Sequence, residues 1–78
     1  MAIGAYLFIN MKTGSGTKIV DDLRKIPEIK QANIVTGMYD IIAYVEAADM
    51  KTLGDTVLSK IQKVPGIDRT VTSVCVQE

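Results

Sequence analysis

The chain has 78 residues, enough for one domain with a thin core, and its nine basic and nine acidic side chains give a formal net charge of zero. That balance provides no long-range attraction to phosphate backbones or anionic lipids, so we expect neither direct DNA binding nor membrane association. Histidine is absent and Cys75 is the single cysteine, so we expect no enzyme, no metal site and no cofactor, in a reducing cytoplasm.

The first half of the chain predicts a strand, a helix and a second strand. The segment Ile3 to Met11 carries apolar residues on both alternating faces, as in a central strand covered on two sides. An amphipathic helix follows, with Ser15 or Thr17 as its N-cap. Its apolar stripe consists of Ile19, Val20, Leu23 and Ile26. Pro27 cannot continue a helix because it lacks an amide hydrogen, so the second strand is expected from Ile29 to Thr36.

The second half repeats this pattern at an offset of 38 residues, the separation of Pro27 and Pro65. The third strand is predicted from Ile41 to Ala47, and Asp49 caps the helix after it. The apolar stripe of that helix consists of Met50, Leu53, Val57, Leu58 and Ile61. The last strand is expected from Ile67 to Gln77.

The order βαββαβ, with a tight turn at Gly37 to Asp40, is typical of a ferredoxin-like α+β sandwich in which a four-stranded antiparallel sheet carries both helices on one face. We expect a single domain over residues 1–78. Alternation leaves Tyr6, Phe8 and Tyr44 on the open face of the sheet. Because 47% of the residues are hydrophobic, more than so short a chain can readily hide, we expect these three aromatic residues to form a homodimer interface.

Other functions fit the same residues less well. The glycine-rich loop from Thr13 to Lys18 matches no complete phosphate-binding fingerprint and is typical of an ordinary capped loop. The open-face aromatic residues could stack on single-stranded RNA, but the segment Val45-Glu46-Ala47 directly after Tyr44 has no basic side chain to neutralise phosphates. A cofactor-free enzyme of the dimeric α+β barrel type is a third hypothesis, against which the missing histidine counts.

The segment Thr36 to Asp40 has both a structural and a functional interpretation. A hairpin commonly needs a residue with positive φ, which accounts for Gly37, and aspartate is a frequent turn residue, which accounts for Asp40. The same turn also offers free amides, the aromatic ring of Tyr39 and a carboxylate. Together these groups could bind the two charged ends of a zwitterion.

Two motifs then indicate a family. The segment Thr36-Gly37-Met38-Tyr39-Asp40-Ile41, followed by Val64-Pro65-Gly66-Ile67-Asp68-Arg69-Thr70-Val71-Thr72, resembles the effector-binding (RAM) domain of the Lrp/AsnC (leucine-responsive regulator) family over nearly the whole chain. The resemblance implies that Gly37, Met38, Tyr39 and Asp40 line an effector pocket. It also implies that Thr70, Thr72 and Ser73 join the pocket from the last strand of the same or a neighbouring subunit. Met38 stands where the family often has glutamate.

The resemblance further implies how the module works. Full-length members carry a helix-turn-helix for DNA, which we do not expect here, so the chain is identified as a stand-alone effector module. Family dimers assemble into larger rings, often octamers, and bind small effectors, usually amino acids, between dimers. The implied partners are therefore other copies of this chain, an amino acid and full-length Lrp/AsnC proteins, through which transcription would be modulated. No catalytic residue is implied.

Overall fold

Alternating apolar residues in the strands and apolar residues three to four apart in the helices organise the described part of the chain into seven elements. A computed structural model describes residues 2–12 and 16–76. The elements are β1 (Ile3–Met11), α1 (Gly16–Arg24), β2 (Ile29–Ile34), β3 (Ile41–Ala47), α2 (Met50–Thr56), a π-helical continuation of α2 (Val57–Ile61) and β4 (Ile67–Val74).

The four strands form one antiparallel sheet in the order β2-β3-β1-β4, so β1 and β3 are central. In the register of the central pair, Tyr6 lies opposite Tyr44 and Phe8 opposite Ile42. Phe8 also lies opposite Val71 of β4. This arrangement confirms the predicted ferredoxin-like α+β fold.

The core is a single layer between the sheet and the helices. β1 contributes Leu7 and Ile9, both fully buried, while their neighbours Tyr6 and Phe8 point to the other face. The remaining large, fully buried side chains are Leu23, Ile41, Val45, Leu53 and Ile61. Burial of each leucine or isoleucine stabilises the fold by about 1.5–3 kcal/mol. The helices therefore cover one face of the sheet and leave the other open.

The ends of the helices agree with the sequence in part. Asp49 caps α2 as predicted, because its carboxylate accepts a hydrogen bond of 2.7 Å from the Thr52 amide. Thr17 is not an N-cap: it lies inside α1, which begins at Gly16, and Ser15 and the rest of the loop at 13–15 lie outside the described residues. The π-helical continuation was not predicted; within it the Gln62 amide donates to the Val57 carbonyl at 2.9 Å.

Two strands end earlier than predicted. β2 stops at Ile34 rather than Thr36, because the Val35 amide donates to the carbonyl of Asp40 and so closes the turn. β4 ends at Val74, and the predicted end at Gln77 lies outside the described residues. Among the helices of residues 16–76, none has the length and apolar character that crossing a membrane requires.

Candidate functional site

The turn between β2 and β3, residues 35–40, has a fixed backbone conformation. Gly37 has φ +113°, in the left-handed region that L-residues with a side chain rarely adopt. A Cβ atom on Gly37 would have no neighbour within 4 Å. The glycine is therefore required by the backbone conformation and not by a lack of space.

Asp40 fastens this turn to the end of β1. Its amide donates to the Ile9 carbonyl at 3.0 Å, and its Oδ2 accepts a hydrogen bond of 2.9 Å from the Met11 amide. The side chain thus satisfies a backbone donor near the register shift between Asn10 and Met11. Since a carboxylate can accept about four hydrogen bonds, Asp40 keeps acceptor capacity for a ligand.

The two residues between the glycine and the aspartate face different surroundings. The Tyr39 ring packs against Phe8 of β1, with ring centroids 5.1 Å apart and planes at 43°. Met38, by contrast, is 88% exposed. The tip of the turn at Met38 therefore projects into solvent, while Tyr39 and Asp40 anchor the turn to β1.

The three candidate residues of β4 do not lie beside the turn in one chain. Thr70 pairs with Ile9 and Thr72 with Leu7, so both are on the helix-covered side, and Gln62 Nε2 donates to Thr70 Oγ1 at 3.2 Å. Ser73 pairs with the exposed Tyr6 and is therefore on the open face. Because β1 lies between the turn and β4, the structure brings residues 37–40 together but leaves Thr72 and Ser73 apart from them.

The open face of the sheet collects the predicted aromatic residues. The rings of Tyr6 and Tyr44 are 5.0 Å apart at 53°, and Tyr6 is 48% exposed. The register adds Ile42 and Val71 to the same face, on either side of Phe8. These two were not predicted; the signal available was their alternation with the buried Ile41 and the half-buried Thr70.

The described residues include no group of three or more His, Cys, Asp or Glu side chains that could hold a metal ion. The carboxyl groups of Glu28 and Asp49 each have a lowered pKa. A hydrogen bond from the Lys60 ammonium holds the pKa of Glu28 below its ordinary value, and hydrogen bonds from Thr52 hold that of Asp49 below its own. Both lowered pKa values therefore follow from an ion pair and a helix cap that stabilise the fold.

Comparison with known proteins matches this chain to one family of domains. Residues 4–78 match the family model for the Lrp/AsnC ligand binding domain. The uncharacterized HTH-type transcriptional regulator PYRAB01370 of Pyrococcus abyssi is 35% identical over 72 residues, which are 92% of this chain and 46% of the relative. The chain thus spans about half the length of the curated relatives it matches.

Two solved structures share the fold. The hypothetical protein PHS023 from Pyrococcus horikoshii is 32% identical with a TM-score of 0.89, and the match covers 100% of this chain and 93% of that one. The transcriptional regulator NMB0573 from Neisseria meningitidis, solved as a complex with L-Met, has a TM-score of 0.88 over 97% of this chain and 51% of its own. Its sequence identity is 19%, so this second likeness shows the fold alone.

Proposed function

The chain belongs to the Lrp/AsnC ligand binding domain family, and from this premise we infer that it is a non-catalytic module that senses a free amino acid. Its family and its relatives, which are HTH-type transcriptional regulators, make it a regulatory ligand-binding domain.

The observation that carries the proposal is the fixed turn with an exposed tip. The conformation at Gly37 leaves its backbone close to solvent, where amides can meet a carboxylate. The remaining acceptor capacity of Asp40 suits an ammonium group, and the Tyr39 ring provides an apolar wall. The turn amides, the Asp40 carboxylate and the Tyr39 ring thus suit the carboxylate, the ammonium group and the side chain of an amino acid. That NMB0573, a protein of the same fold, was solved with L-Met supports the amino-acid class.

A second subunit completes the pocket in this proposal. In one chain Thr70, Thr72 and Ser73 lie across β1 from the turn, so a pocket containing all of them requires residues from another copy. The exposed aromatic face of β1 and β3 is the surface on which two sheets would pack to form a homodimer. Dimers would then assemble into an octamer-like ring with the effector between them.

We further propose that this domain modulates transcription in the cytoplasm by joining full-length Lrp/AsnC proteins in mixed assemblies. The zero net charge agrees with a partner that is a protein and not DNA.

A thermal-shift screen against the twenty amino acids tests the sensing proposal. An effector at 100 times its Kd should stabilise the folded protein by about 2.7 kcal/mol. Met38→Ala should weaken this stabilisation because Met38 is at the exposed tip, whereas Met50→Ala, a matched change at a 55% exposed methionine beyond the far end of β3, should not. If no amino acid raises the melting temperature, the sensing proposal fails.

Light scattering tests the assembly. Tyr6→Lys places a charge in the proposed dimer interface and should yield monomers, while Leu58→Lys, also at an exposed apolar residue, should leave the assembly intact. A wild-type chain that stays monomeric would contradict the dimer. Binding of a single-stranded oligonucleotide by such a monomer would instead favour the RNA hypothesis, which needs the aromatic face to be free.

A further inference from the structure

A surface cavity of about 330 Å³ lies between the C-terminus of α1 and β2, an edge strand of the sheet. We call it the Arg24 cavity; its lining residues are Arg24, Ile29, Lys30, Gln31, Ala32 and Asn33. Ile29 and Ala32 are buried, so the surface that the cavity offers to a ligand comes mainly from the polar residues. This composition favours a polar or charged ligand.

The backbone of β2 is irregular at the cavity. Ile29 pairs with Val45 and Gln31 with Tyr44, so the chain carries an extra residue, Lys30, at this point. Such a bulge interrupts the ladder and redirects the side chain of the extra residue. Lys30 is exposed beside the cavity, and its ammonium is 3.3 Å from the Pro27 carbonyl oxygen.

Arg24 is held in place by the strand that it faces. Its Nη2 donates a hydrogen bond of 2.8 Å to the Ala32 carbonyl. A guanidinium has five N–H donors in a rigid plane, so this bond fixes the orientation of the plane and leaves further donors for a ligand. Fixing the side chain beforehand lowers the entropy cost of binding.

Neither Arg24 nor Lys30 forms an ion pair among the described residues, although Lys30 is close enough to Glu28 to help lower the pKa of that carboxyl group. The nearest acidic residues in the sequence have other partners, because Asp22 pairs with neighbouring lysines at 3.3 and 3.9 Å and Glu28 with Lys60 at 3.1 Å. Within residues 2–12 and 16–76, no ion pair involves Arg24 or Lys30. Arg24 therefore presents an unpaired positive charge to the cavity, and Lys30 adds a second cation whose charge is partly offset by the nearby Glu28 carboxylate.

From these contacts we propose that the Arg24 cavity binds a small phosphate dianion, either inorganic phosphate or the phosphate group of a small molecule. Two cations match the two charges of the dianion, whereas a single carboxylate would neutralise only one of them. The planar fork of Arg24 suits two phosphate oxygens, and Lys30 supplies a point charge to a third. The site is separate from the turn at residues 37–40, and it gives the domain a second ligand class.

A titration of the full chain followed by amide NMR tests the proposal, with inorganic phosphate, methyl phosphate and acetate added at constant ionic strength. We expect saturable shifts at residues 29–33 with inorganic phosphate or methyl phosphate, and not with acetate. A preference for methyl phosphate would identify a phosphorylated molecule as the ligand, and a preference for inorganic phosphate the free anion. Binding of methyl phosphate should weaken below about pH 6, where the ester dianion gains a proton, and binding of inorganic phosphate should weaken at a somewhat higher pH, because its dianion is more basic.

Matched variants test whether Arg24 and Lys30 bind the phosphate. Arg24→Gln and Lys30→Gln should each weaken phosphate binding by about tenfold or more, while Lys63→Gln, the loss of one charge outside the cavity, should leave it unchanged. Lys30→Gln keeps the Arg24 bond to Ala32, so it remains informative if Arg24→Gln unfolds. Non-saturable shifts spread over many lysines, or unchanged binding in Lys30→Gln, would overturn the proposal. Neither outcome bears on amino-acid binding at the turn, because the two sites are separate.

Discussion

Asp40→Ala is the most direct test of how the candidate turn is held. The substitution removes the acceptor of the 2.9 Å hydrogen bond from the Met11 amide, which is partly buried. An amide left without a partner costs about 1–3 kcal/mol, so we expect the free energy of unfolding to fall by about 2 kcal/mol. For a domain of this size that corresponds to a decrease in Tm of about 8–16 °C.

Asp40→Asn separates the hydrogen bond from the charge. The amide oxygen of asparagine can still accept from Met11, so this variant should lose only about half as much stability as the alanine variant. Asp55→Ala is the matched control, because Asp55 is exposed and makes one ion pair with Lys51 at 3.2 Å within its own helix. Such a pair contributes only about 0.3–0.5 kcal/mol.

The assay is urea denaturation followed by circular dichroism, with all variants at one protein concentration because assembly would shift the apparent stability. The reasoning is refuted if Asp40→Ala is no more destabilising than Asp55→Ala, or if asparagine costs as much as alanine. The result also bears on ligand binding. If Asp40→Asn folds normally yet loses an amino-acid thermal shift, the carboxylate contacts the effector as well as the Met11 amide.

Two further predictions concern glycine and pH. Gly66→Ala should destabilise the protein by about 1–3 kcal/mol, and by more than Gly37→Ala. Both glycines have positive φ, but only a Cβ atom at position 66 would lie 3.0 Å from an Ile19 methyl group. Equal losses of stability for the two variants in denaturation experiments would contradict this reasoning. The lowered pKa of Glu28 stabilises the fold above its ordinary value of 4.5, and this stabilisation disappears as the pH falls through the folded-state pKa. Stability measured from pH 6 to pH 3 should therefore fall less steeply in Lys60→Gln, which removes the largest cause of the lowered pKa. Acid sensitivity equal to that of the wild type would contradict this assignment.

Much of the fold was predictable from the sequence because it depends on local patterns. Residues at alternate positions of a strand face opposite sides, so the series from Ala5 to Ile9 identifies the covered and open faces of β1 without knowledge of its neighbours. The N-cap at Asp49 is likewise a contact over three residues. Gly37 was recognised as a turn residue because a hairpin needs positive φ there, which the structure confirms.

The site was less predictable, because its contacts join residues that are distant in the sequence. Asp40 and Met11 are 29 residues apart, and nothing local shows that the carboxylate is partly used by a strand amide. The bond from Arg24 to the Ala32 carbonyl depends on how α1 packs against the edge of the sheet, as does the cavity beside it. Family resemblance named Thr72 and Ser73 together, and alternation puts them on opposite sides of β4, but only the register shows that Ser73 shares the open face with Tyr6.

The sequence by itself thus determined the order of the elements, the buried face of each and the conformation of the turn at Gly37, since these follow from spacing and from the steric limits of single residues. Only the tertiary structure decided what Asp40 and Arg24 contact and which candidate residues share a surface. The physical reason is that side-chain partners are set by strand register and helix docking, which close long loops and leave no periodic signal in the chain.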